Sequence, residues 1–250
     1  MLPATMPLED YQQALMAPPG VALSPPAPWE FDSAVAALAA VPLILLHHEE
    51  PRELSACLAR KVAAWLSPQA SLAAVQVWGQ ALAFCLAGDR PGLPLTDLAE
   101  SEPDLAPWRT ILAELQAAIA NEWGLSHLCR SLSRQCSEAD SAIALALYCH
   151  ASTPNLPRLS SARAARSTFP LASPLAATLA GASHGVWGLS RDWVTHSHRN
   201  LTASQWLAER LARRWAGQSP SVESQPLPTI TVAGRLQSRL PFQVISQAEP

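Results

Sequence analysis

From Asp32 onward the chain alternates apolar stripes of helical period with short polar or proline-bearing breaks. Asp32 or Ser33 can cap a helix whose apolar positions are Val35, Leu38, Val41 and Leu45, and Pro42 should kink it or shift its register. Pro51 suits the first position of the next helix, with Leu54, Cys57, Leu58, Val62 and Leu66 on one face and Ser67-Pro68 as its end. A third pattern runs over 69–87, and 88–106 reads as a loop-like insert. Helices follow over 107–123, with Ile111, Leu112, Leu115, Ala118 and Ile119 as the stripe, and over 125–135.

Ser137 to Asp140 reads as a capping box opening a helix that is apolar all round from Ala142 to Cys149, which marks it as central and buried. Ser173-Pro174 predicts a cap and first position for a helix holding the small residues Ala180 to Gly185, where another backbone, that of 142–149, should approach closely. A second capping box, Thr202 to Gln205, opens a helix ending at Gly217, with Leu207, Leu211 and Trp215 inward and Arg210, Arg213 and Arg214 outward. Strands nowhere alternate with these helices, which argues against a parallel α/β sheet.

Breakers set the domain limits. Seven prolines crowd residues 1–28, leaving room for one short helix near 8–16. After Gly217 the chain turns to Ser, Pro and Gln, and 217–250 reads as a mostly disordered tail in which Thr229–Ala233 has β-character without a partner strand. Residues 29–216 contain no breaker-rich linker and are expected to form one all-helical domain.

Composition narrows the function classes. Apolar residues are 49% of the 250 positions, enough for a sizeable core, while charged residues are only 15%. The net charge of −3 gives no global basic field for nucleic acid. The longest apolar run, Ala34 to Leu46, is interrupted by Pro42 and falls short of the ~20 residues a bilayer span needs. The start Met1-Leu2-Pro3 carries no basic leader region, so the expected location is cytoplasmic. Cys57, Cys85, Cys129, Cys136 and Cys149 are widely spaced and fit reduced, mostly buried thiols. Charge is uneven: residues 30–145 hold 7 basic and 14 acidic side chains, whereas 146–216 hold 8 arginines and 2 acids. Mutual attraction of two halves of one domain explains this more simply than an anion-binding surface.

Other constellations carry little. His47-His48 and His196-Ser197-His198 lack the spacing that sets two imidazoles on one helix face, and read as exposed turn histidines. Ser183, His184 and Asp192 lack a nucleophile-elbow context, and His184 reads as a packing histidine. Trp187, Trp193, Trp206 and Trp215 suit core edges, although Arg210, Arg213 and Arg214 near Trp206 and Trp215 would also suit base stacking.

Two segments together resemble the ADP-ribosylglycohydrolase family. The first is Trp29-Glu30-Phe31-Asp32-Ser33, opening an alanine-rich helix where the family has T-D-D-T. The second runs from Ala139-Asp140-Ser141 through Ala164-Ala165-Arg166 to Leu179-Ala180-Gly181-Ala182-Ser183-His184-Gly185 and Trp193, where the family has an apolar helix, a G-G-D-T-D-T loop, an L-A-G-A-Y-Y-G-like helix end and a Trp. The resemblance covers roughly 8–196, weakly between 67 and 135. It implies a compact, single-domain, all-α orthogonal helical bundle. It also implies a cleft where two Mg²⁺ ions bind the ribose of an ADP-ribose group and help water cleave its glycosidic bond.

The chain departs from the family at the metal ligands. Glu30, Phe31, Asp32 and Ser33 stand where the family has T-D-D-T, so Phe31 replaces the first aspartate and Asp32 keeps the second. Counted back from Leu179, the two later aspartates fall on Thr168 and Pro170, and the glycines on Arg166 and Ser167. The family's glycine-rich first helix falls on 14–24, where Pro18 and Pro19 break it. One carboxylate of four remains, too few to offset two Mg²⁺ ions that each demand about six oxygen ligands. The expectation is a pseudoenzyme without metal cofactor, with Glu30, Asp32, Ser33 and Thr168 as vestigial cleft residues. Arg163 and Arg166 are the expected contacts for an ADP-ribose-like ligand. The alternatives are an active hydrolase that uses Glu30, Asp32 and Ser33 differently, and a scaffold that binds a protein partner through its tail. Neither nucleic acid nor a membrane is an expected partner.

Overall fold

A computed structural model describes residues 30–88, 93–100 and 105–185, together with six helical positions between Trp206 and Arg213. Helix α1 (Ser33–Ala39) starts where the sequence predicts, because Asp32 Oδ1 accepts the Val35 N–H at 2.8 Å and satisfies an orphan donor of the first turn. Pro42 does more than kink the segment. Helix α1 stops, and α2 (Val41–His47) begins with Pro42 in its first turn, where a missing N–H costs no helical bond.

Helix α3 (Pro51–Lys61) opens on its proline and ends before a 3₁₀ turn over Ala63–Trp65, earlier than the apolar stripe alone suggests. The chain then pairs with its own start. Phe31 donates to the Trp65 carbonyl at 2.8 Å and accepts from Ser67 N–H at 2.9 Å, a single parallel bridge between Phe31 and Leu66. Helix α4 (Leu72–Ala87) is capped by the Ser71 hydroxyl and closed by Gly88 at φ 68°, a left-handed turn that glycine adopts without strain.

The insert is not wholly a loop, since it holds a short helix α5 (Leu95–Glu100) whose Leu95 and Leu98 are buried. Helices α6 (Ala106–Ala120) and α7 (Leu125–Gln135) follow. Helix α8 (Glu138–Ser152) is capped by Ser137, whose hydroxyl accepts the Asp140 N–H at 3.1 Å. Helix α9 (Pro157–Ala165) occupies a stretch for which the sequence suggests no helix. Helix α10 (Ala172–His184) starts a residue before the expected cap, and the Ser173 hydroxyl instead donates to the Ser161 carbonyl at 3.2 Å, tying α10 to α9.

The described residues are all helical in architecture, without a strand beyond the one bridge, and pack into a single core. Its centre is α8, buried without a break from Ser141 to His150, in contact with α1, α4, α6, α7, α9 and α10. Beside it lies α4, buried from Ala74 to Ala83 and packed against α1, α2, α3 and α10 as well. Each fully buried leucine in these helices contributes about 1.5–3 kcal/mol of apolar transfer. Side chains crowd α4 at Gly79, where an added Cβ would lie 2.8 Å from Leu58 Cδ1 and 3.5 Å from Ile44 Cδ1.

The expectation for Gly181 fails. Helix α10 docks on α8 and α4 through Leu175, Ala176, Leu179 and Ala180, but Gly181 faces open space, with nothing within 4 Å of an added Cβ. His48 is also unlike the expected exposed turn residue. It is buried, with Nδ1 2.9 Å from the Leu45 carbonyl. Four of the five thiols are buried and Cys136 is half-buried. Trp206 is 48% exposed, with the Arg210 guanidinium 4.4 Å from its ring centre. Trp187, Trp193, Trp215, Asp192, His196 and His198, and the segments 1–28 and 217–250, lie outside the described residues. No described helix is long and apolar enough to cross a membrane.

Candidate functional site

Asp32 and Ser33 stand where three helices begin. The buried Ser33 hydroxyl accepts the Ser71 N–H at 2.8 Å, which joins the start of α1 to the start of α4. The same hydroxyl lies against the carboxyl of Asp140 in the first turn of α8, and the Ser137 hydroxyl lies there too. Three serines and two aspartates thus gather at one pole, where the exposed N–H groups of helix starts favour negative charge.

The carboxyls differ. Asp32 is exposed and spends Oδ1 on capping α1. Asp140 is part-buried, and its Oδ1 is buried without a hydrogen-bond partner even though Ser33 and Ser137 lie beside the group. Burial raises its pKa above the ordinary value; the two hydroxyls pull it down, and Asp32 adds to the rise. The pole can therefore hold a proton or accept hydrogen bonds from a ligand. Two carboxylates give little support to a pair of divalent ions.

The other expected site residues divide. Glu30 is exposed at the edge of this pole, whereas Phe31 is turned into the molecule and packs against the core. Thr168 is exposed in the loop between α9 and α10, and its backbone faces the Cys129 thiol of α7. Pro170 is exposed in the same loop. Arg163 is engaged: its guanidinium donates to the Ser152 hydroxyl at 3.0 Å and the Tyr148 hydroxyl at 3.4 Å, and sits 5.4 Å from the Tyr148 ring centre. Tyr148 in turn donates to the Trp123 carbonyl at 2.9 Å. Arg166 is exposed beyond the end of α9. Among the described residues no hydrogen bond or ion pair joins Arg163, Arg166 or Thr168 to Glu30, Asp32 or Ser33.

Sequence spacing gives no warning of a second polar cluster at the opposite ends of α4 and α8. There His150 Nε2 lies 3.4 Å from Cys85 Sγ and 3.2 Å from Ser183 Oγ of α10. His150 is 3% exposed and its Nδ1 has no partner. Burial, and then the neighbouring His184, push its pKa down to about 4, while burial pushes the Cys85 thiol up to about 11. Thiol and imidazole are both neutral at pH 7, so Cys85 is a poor nucleophile. Ser183 spends its own proton on the Leu179 carbonyl at 3.1 Å, and no third group orients the imidazole. Among the described residues no group of three or more His, Cys, Asp or Glu side chains is placed to hold a metal ion. Comparison with protein-family models, curated proteins and solved structures finds no match to this chain.

Proposed function

We propose that this chain is a cytoplasmic, non-catalytic relative of the ADP-ribosylglycohydrolases that serves as a binding or regulatory module. The observation that carries the reading is Phe31. Its ring is part of the core packing and its backbone is pinned to Trp65 and Ser67, so a position the family uses for a metal-binding carboxylate is committed to holding the fold. Support comes also from Thr168 and Pro170, which supply one neutral side-chain oxygen between them from an exposed loop, and from Asp140, whose carboxyl sits among hydroxyls at the pole. Arg163 is held by Tyr148 and Ser152, which leaves exposed Arg166 as the better candidate for an anionic group.

Thermal melts in millimolar Mg²⁺ and in chelator should coincide. A metal that binds the native state would raise stability by RT ln(1 + [L]/Kd), about 2.7 kcal/mol at a hundredfold excess. ADP-ribosyl-arginine and ADP-ribosyl-serine should remain uncleaved, while titration calorimetry with ADP-ribose tests the retained binding role. Mg²⁺-dependent cleavage that disappears in Asp32→Ala would replace this reading with an active hydrolase.

A further inference from the structure

The cluster around His150 joins the ends of three helices. Cys85 comes from the last turn of α4, His150 from the last turn of α8 and Ser183 from the last turn of α10. A single imidazole nitrogen reaches both partners. If the ring proton sat on Nδ1, a buried N–H would have no acceptor, a costlier fault than a bare lone pair. The arrangement is satisfied with the proton on Nε2, donated to Ser183 Oγ, while Ser183 donates to the Leu179 carbonyl. Adding a second proton must place a charged N–H at Nδ1, in a spot that offers no acceptor and almost no water.

The surroundings do not soften that charge. The titratable groups facing the ring are Cys85 from α4 and His184 from α10, a neutral thiol and a second base. No described carboxylate acts on it. Arg163 of α9 is turned to Tyr148 and Ser152. His184 shares the last turn of α10, held by Nδ1 at 3.0 Å from the Ala180 carbonyl. The wall that can give way is this last turn, where Gly181 and Ser183 are exposed, whereas α4 is buried from Ala74 to Ala83 and α8 from Ser141 to His150.

We propose that His150 is an acid-operated latch: its protonation releases the C-terminal turn of α10 (residues 180–184) from α8 and opens a path for solvent to Cys85. The direction of the response is fixed. A base whose pKa is lower folded than unfolded binds more protons when unfolded, so the docked turn is stable above pH 6.5 and is lost as pH falls toward about 4. Released, the turn uncovers a thiol that is 6% exposed when docked.

The full chain would be held at pH 7.0, 5.5 and 4.5. Each sample would be pulsed with 4,4′-dithiodipyridine, which reacts in acid, and with deuterium, and both labels mapped by mass spectrometry. Cys136, half-buried in the folded chain, serves as the internal reference. The expected result is that Cys85 labelling rises at least tenfold between pH 7.0 and 4.5 while the amides of 180–184 lose protection and those of α1 and α4 keep theirs. His150→Gln, whose amide can still donate to Ser183 but carries no titrating proton, should hold Cys85 closed at all three pH values. Labelling that is independent of pH, an equal response in His150→Gln, or loss of protection in α1 and α4 in the same step would each overturn the proposal. The wild-type data decide the question alone if the variant does not fold.

Discussion

The two ends of one helix pair make the most informative contrast in this molecule. Helices α4 and α8 run in the same direction: Ser71 and Asp140 meet through Ser33 at their starts, and Cys85 meets His150 at their ends. The starting end collects carboxyls and hydroxyls that can accept from orphan N–H groups, as Asp32, Ser33, Ser71 and Ser137 do, while Asp140 Oδ1 and Ser141 Oγ stay buried without a partner. The finishing end collects a thiol, a hydroxyl and an imidazole. A helix C-terminus favours an imidazolium by about 0.3–1 kcal/mol, up to ~2 in partly buried settings, yet His150 is held neutral because burial outweighs the dipole. Helix polarity decides which residue types suit each end; desolvation decides whether they carry charge.

The midpoint of the pair gives the largest test of this description. At Gly79 an added Cβ already meets the Leu58 and Ile44 side-chain ends, so a large side chain cannot enter without displacing them. Gly79→Leu should cost about 3 kcal/mol or more through overpacking, read as a lower urea midpoint. An unchanged midpoint would mean that α4 does not seat against α2 and α3 as described. The second test lies on α10, outside the pair. Gly181→Ala adds a methyl to open space in a helix and should stabilise by about 0.5–1 kcal/mol. Destabilisation there would restore the close packing that its small-residue neighbours suggest.

The smallest effect separates the ends by pH. The pKa of Asp140 is raised when folded, so its contribution is present in acid and is lost as pH rises through the folded value. His150 has the opposite slope. Asp140→Asn should therefore raise stability slightly at pH 7, with the gain shrinking toward pH 4, as measured by urea melts across that range. A variant weakened most at pH 7 would show that the helix starts hold Asp140 ionised to good effect.

Much of the helical framework is legible in the sequence because it is written locally. Asp32, Pro51 and Ser137 each fix a helix start through one hydrogen bond or one fixed dihedral, and these cues hold. Helix α9 escapes because its Arg and Ser residues show no strong apolar stripe and prolines surround it, so only its packing on α8 and α10 sustains it. Gly181 misleads for a related reason: small residues permit close approach, but the facing surface decides whether it happens. At the pole, Asp32 and Ser33 stand out by motif, while Asp140 reads only as part of a cap until the fold sets it beside Ser33. Cys85, His150 and Ser183 give no sequence signal as a group, since no spacing rule links residues so far apart.

The parallel course of α4 and α8 also bears on how the chain reaches its fold. Chain-adjacent helices in an up-and-down bundle lie antiparallel and meet through short loops, so their contacts are local. Here the pair at the centre must return to the same end before it can dock, and Cys85 and His150 are separated by 65 positions. Closing a loop that long before its contacts reward it slows the search, because folding rate falls as contacting residues become more distant in sequence. Folding of this domain should be slower than its helical content suggests, with α9 and α10, neighbours in the chain and in space, able to pair before the central helices meet.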